Sequence, residues 1–105
     1  MAAKIVPLRT QLTREGAEAI IRECIADTSR LGWTDHATEQ MDDRGIVDSQ
    51  VLAVLEKGAV KTGPDFSEEH GDWVCVLRKV VAGKVVHAVV GIDAEKRCTT
   101  VITAY

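Results

Sequence analysis

From residue 73 to residue 105 the chain carries three runs rich in Val, Thr and Ile, parted by two short polar breaks. Residues 73–81 and 84–92 flank Ala82-Gly83, and residues 98–105 follow the polar stretch 93–97. β-Branched residues in runs of this length favour half-buried strands. Breaks this short turn the chain back antiparallel to itself. An antiparallel meander is therefore predicted, with the preceding helices packed on it: an α+β fold in one domain over residues 1–105.

The first half reads as three helices. Thr13 caps the first, predicted over residues 13–30, in which Ala17, Ile20, Ile21, Cys24 and Ile25 keep the i, i+3, i+4, i+7, i+8 stripe. Gly32 and Trp33 lie in a link. The second helix spans residues 35–44 and has both ends marked. Asp35 or Thr34 accepts from the first-turn amides, Gly45 closes the last turn in the left-handed region, and Ile46 folds back. Ala37 and Met41 point inward, with His36, Gln40 and Arg44 four apart on the border between faces. Asp48 is read as the cap of a third helix, with Val51, Leu52 and Leu55 inward and Gly58 as its stop. Residues 59–62 form a short strand and 63–72 a Gly- and Pro-containing loop. Residues 1–12, broken by Pro7, are a flexible arm or an edge strand.

Composition excludes several classes. Sixteen acids against 13 bases give a net charge of −3, the opposite of a general nucleic-acid-coating protein. Cys24, Cys75 and Cys98 lack any C-x-x-C spacing and read as free thiols in a reducing cytoplasm. No run approaches the roughly 20 apolar residues that span a bilayer. His36, His70 and His87 lack metal-ligand spacing, and no phosphate loop, nucleophile elbow or dinucleotide fingerprint occurs. No cofactor and no metal is expected.

The run His36-Ala37-x-x-x-Met41-x-x-Arg44-Gly45-Ile46, with Val51, Leu52, Leu55 and Gly58 after it, resembles a bacterial family of unknown function. The closing strand Thr100-Val101-Ile102-Thr103-Ala104-Tyr105 extends the likeness, which covers residues 34–105; the helix of residues 13–30 looks added. That family is similar to the small RelE- and BrnT-like toxins of toxin–antitoxin systems, which are ribonucleases with helices on one face of an antiparallel sheet. The resemblance thus implies helices on a meander of three to four strands. It carries over His36, Arg44 and Thr103, with Arg78 and His87 as candidates for the family's polar position on the meander.

Metal-independent RNA cleavage requires a base, a cation for charge developing at phosphorus, and an acid for the leaving oxygen. His36 would be the base, Arg44 or Arg78 the phosphate fork, and His87 the acid if it faces the helices. Each also has a plainer role: Arg44 as a helix C-terminal cation, His87 as a sheet histidine, Thr103 as a good strand residue. Two functions are expected on this basis. The first is a small protein-interaction module with an antitoxin-like partner. The second is an endoribonuclease toxin acting on RNA. No membrane partner is expected.

Overall fold

The computed structural model describes residues 11–105. The arm or edge strand expected for residues 1–12 therefore falls, up to residue 10, outside the described residues. The element order is α1 (Arg14–Ala26), a 3-10 turn (Thr28–Arg30), β1 (Leu31–Trp33), α2 (Asp35–Arg44), α3 (Asp48–Lys57), β2 (Ala59–Ser67), β3 (Asp72–Val81), β4 (Lys84–Asp93) and β5 (Cys98–Ala104). The five strands form one mixed sheet in the order β1-β5-β4-β3-β2. The four long strands pair antiparallel in chain order, and β1 pairs parallel with β5.

Helix ends follow local chemistry. Thr13 accepts from Gly16 N–H at 2.9 Å and Thr34 from Ala37 N–H at 3.0 Å, so Thr34 rather than Asp35 caps α2. Thr34 also donates to the Ile102 carbonyl at 2.8 Å, which ties the start of α2 to β5. Gly45 is left-handed (φ 67), and Ile46 N–H returns to the Met41 carbonyl at 2.8 Å. This is the Schellman closure that the sequence implies. At the hairpin, Ala82 (φ 52) and Gly83 (φ 81) are both left-handed, the geometry that matches strand twist in a two-residue turn.

Several expectations are corrected. The first helix stops at Ala26, where Asp27 turns its carboxylate onto Ser29, accepting from the amide at 3.2 Å and the hydroxyl at 2.6 Å. Such a local bond offers the backbone an alternative to helix. Leu31–Trp33 is an edge strand, not a link. Its parallel pairing with β5 makes the sheet five-stranded and mixed, where an antiparallel meander of three to four strands is expected. The loop of residues 63–72 shrinks to 68–71 because β2 runs on to Ser67. Its register shifts on both sides of Thr62, and an edge strand with bulges tolerates Gly63 and Pro64. Finally, Val47 is the N-cap of α3 and Asp48 its first residue. The buried face of α3 is Val51, Val54 and Leu55, with Leu52 only partly covered.

One core joins the layers. Ile20, Ile21 and Cys24 of α1, Met41 of α2 and Leu55 of α3 meet Trp73, Cys75 and Leu77 of β3, Val90 and Ile92 of β4, and Val101 of β5. Alternate strand residues therefore share the helix-bearing face. α1 is built into this core: Arg22 donates to the Leu55 and Gly58 carbonyls, both at 3.0 Å, satisfying the end of α3. Glu18 in turn accepts from Val60 N–H at 3.0 Å. The opposite face carries Val74 and Val76 of β3, His87 and Val89 of β4, and Thr100 and Thr103 of β5. Among the described residues, no helix belongs to that face.

Candidate functional site

The sequence-predicted polar residues divide between two layers. His36, in the first turn of α2, is exposed. Arg44 lies eight residues on, about 12 Å along the helix axis at about 1.5 Å per residue. Its Nε donates to Gln40 Oε1 at 3.2 Å. This is an i, i+4 pair within the predicted row.

Arg78, His87 and Thr103 lie on the helix-free face. The register sets Arg78 opposite His87 and Val89 opposite Thr103. His87 alternates with Val86 and Ala88, which are buried under the helices, so its ring points the other way. The condition on which His87 would be the acid, that it faces the helices, is therefore not met, and His36 and His87 lie on different layers.

What the fold does bring together is a cluster at the strand ends. His87 and Tyr105 exchange both backbone hydrogen bonds, at 2.7 and 3.0 Å. Their rings stack with centroids 4.6 Å apart and planes 12° from parallel. Tyr105 also borders a small cleft of about 170 Å³, whose polar lining is Arg44, Gln50 and Lys84. Arg78 sits beside His87 on the neighbouring strand. Among the described residues, Arg44, Arg78 and Lys84 pair with no carboxylate. Two cations, Arg44 and Lys84, lining one cleft with the Tyr105 phenol can seat an anionic group, despite the overall negative charge.

Lys84, Gln50 and Tyr105 are absent from the sequence-predicted set. Tyr105 stands out in the chain only as the end of a closing strand. Lys84 reads as a residue beside a turn.

The other polar groups serve structure. Arg97 clamps Glu23 with Nε at 2.7 Å from Oε1 and Nη2 on Oε2. That bond holds the Glu23 carboxyl below its usual range, helped by the charges of Arg97 and Arg30. Burial, then the charge of Glu18, pushes the Cys75 thiol up to about 12, so it cannot supply a thiolate near neutrality. Burial, then repulsion from Asp93, raises Asp72 at the start of β3, and His70 partly offsets this. Among the described residues no three His, Cys, Asp or Glu side chains gather as a metal site, and no helix is long and apolar enough to cross a membrane.

A family model described as Domain of unknown function (DUF4258) matches residues 33–105, and the chain belongs to that family. The match starts at the last residue of β1, so α1 precedes it. No curated protein and no solved structure matches the chain.

Proposed function

We propose that this member of the domain-of-unknown-function family is a cytoplasmic protein-interaction module of RelE/BrnT-like, toxin-like fold, whose partner is an antitoxin-like protein. The observation that carries this reading is the helix-free sheet face. Val74, Val76 and Val89 stand there half-buried, with no described helix over them, and Arg78 and His87 lie at one end. An apolar patch with a polar rim is the usual anatomy of a protein interface. The separation of His36 from His87 supports binding over catalysis, because an acid–base pair must reach one reacting group.

The test is a double variant, Val76→Lys/Val89→Lys, which alters the bare face and spares the core. Both chains are immobilised and exposed to lysate of the cells that make the protein. A protein captured by the wild type and lost from the variant, with the variant's melting curve unchanged, is the expected result. Identical capture by both would refute the assignment of the interface to this face.

A second reading, a metal-independent endoribonuclease toxin, is favoured by the Arg44, Lys84, His87 and Tyr105 cluster. Here Arg44 and Lys84 would hold the phosphate, and the Tyr105 phenol or His87 would move the proton. Growth arrest on induction, together with chelator-resistant RNA cleavage lost in Tyr105→Phe/His87→Ala, would establish it. Normal growth and intact RNA would leave the binding module.

A further inference from the structure

We propose that a groove between α2 and α3 docks a cationic, amphipathic segment of another protein, on the helix layer and thus apart from the bare sheet face. The groove is an open depression of about 860 Å³. Its floor is apolar: Trp33 at the end of β1, Met41 of α2, and Val47 at the junction of the two helices. Its rim is acidic: Glu39 and Asp42 of α2 and Asp48 of α3. Two features set this surface apart from an ordinary solvated one.

The first is Val47, which is 57% exposed. It holds the N-cap position of α3, where its side chain gives no cap bond. Ser, Thr, Asp or Asn is preferred there by a wide margin over Val. A residue that leaves a helix uncapped and exposes an apolar side chain breaks two local rules at once, as functional sites do. The second is charge. Among the described residues, Glu39, Asp42 and Asp48 pair with no cation, and they do not gather into a metal-holding group.

An apolar floor between unpaired carboxylates selects its occupant. A helix laid in a groove anchors large apolar side chains at i, i+3 or i+4 spacing, and Lys or Arg beside those anchors meets the rim. Complementary rim charges chiefly speed association and set specificity, and their effect falls with salt. Nucleic acid and acidic segments are repelled by the same rim. The inference stands whether or not the sheet face binds a partner.

The probe is a short synthetic peptide in which Leu recurs at helical spacing and Lys fills the other positions. Two controls replace its Lys by Glu or its Leu by Ser. Binding to the full chain is followed by calorimetry and by Trp33 emission, which reports on the groove because the other tryptophan, Trp73, lies in the core. The Leu/Lys peptide is expected to bind saturably, and neither control should do so. Glu39→Lys/Asp42→Lys should weaken binding about tenfold or more. Glu68→Lys/Glu69→Lys, with the same charge change in the exposed 68–71 loop, should alter it by less than about twofold. Equal weakening in both double variants, binding of the Ser control, or no saturable binding would overturn the proposal. So would a dimer of this chain that occupies the groove and is abolished by Glu39→Lys/Asp42→Lys.

Discussion

Replacing Val47 by threonine probes how the α2–α3 junction is built. Val47 has φ −102 and ψ 161, the extended geometry from which an N-cap side chain reaches the first-turn amides. Thr13 and Thr34 hold the same region of backbone and cap α1 and α2. At α3 only the reverse half of a capping box exists: Gln50 Oε1 accepts from Val47 N–H at 2.9 Å. Valine has no acceptor to complete the pair. Threonine has the same shape, with one methyl replaced by a hydroxyl. The restored cap contributes about 0.5–2 kcal/mol. Against it stands the lost methyl, worth about 0.8 kcal/mol if wholly buried. Since Val47 is 57% exposed, less than half of that, roughly 0.3 kcal/mol, is forfeited.

Val47→Thr is therefore expected to stabilise the protein by about 1 kcal/mol and to raise Tm by roughly 4–8 °C for a domain of this size. Circular dichroism melts, together with urea titrations at unchanged m-value, measure both quantities. An unchanged or lower Tm would refute the reasoning, because it would mean that apolar contacts at Val47 outweigh a vacant cap. The same variant leaves the groove's shape intact, so its stability effect can be read separately from any loss of peptide binding.

The two helix-stop glycines should rank opposite to their torsions. Gly45→Ala (φ 67, open space around a Cβ) should cost only left-handed strain, about 1–2 kcal/mol. Gly58→Ala is torsionally free, but its Cβ would lie 2.4 Å from the Val54 carbonyl oxygen and 3.0 Å from that of Arg78. It should cost about 3 kcal/mol by overpacking, and the reverse order in chemical denaturation would sink the steric account. Leu55→Ala, at a fully buried site, should cost about 2–5 kcal/mol, and a loss below about 1 would mean that α3 packs by another face. Asp72→Asn concerns a carboxyl raised above its ordinary 3.8 by burial and by Asp93. The folded state holds that proton longer than the unfolded chain, so the wild type loses stability as pH rises through and beyond 3.8. The variant should be more stable near neutrality, with the advantage vanishing below that pH. A constant difference at all pH values would assign the effect to packing.

Legibility tracked signal strength. The stripe from Ala17 to Cys24 and the Gly45–Ile46 closure of α2 are periodic or stereochemically forced, and they fold as read. β1 is three residues long with a central glycine, too short for any alternation to appear. It exists because β5 offers a parallel partner at residues 99–101. β2 carries Gly63-Pro64, turn chemistry in isolation, yet lies at an edge where missing donors and bulges are tolerated. The α3 boundary shifted by one residue because Asp48 is a better cap than Val47 in isolation. Its side chain is nonetheless already inside the helix, where a first-turn acid suits the dipole.

The site was harder to read, and one backbone irregularity explains why. Valines flank His87 on both sides along β4, so neither face of the strand announces itself as the core. Only the pairing of Arg78 with His87 and of Leu77 with Ala88 fixes which side the imidazole takes. In β5 the register breaks between the pairs Val90–Val101 and Val89–Thr103, which leaves Ile102 as an extra residue. Unbroken alternation from Thr99 and Val101 would have turned Thr103 and Tyr105 towards the helices. One inserted residue reverses every side chain beyond it. Ala104 accordingly becomes the buried position, and Thr103 and Tyr105 pass to the face that carries His87. The stacked His87–Tyr105 pair is therefore a product of the bulge at Ile102, not of the closing-strand motif. A sequence of the same residue types without that bulge would keep the motif and lose the cluster.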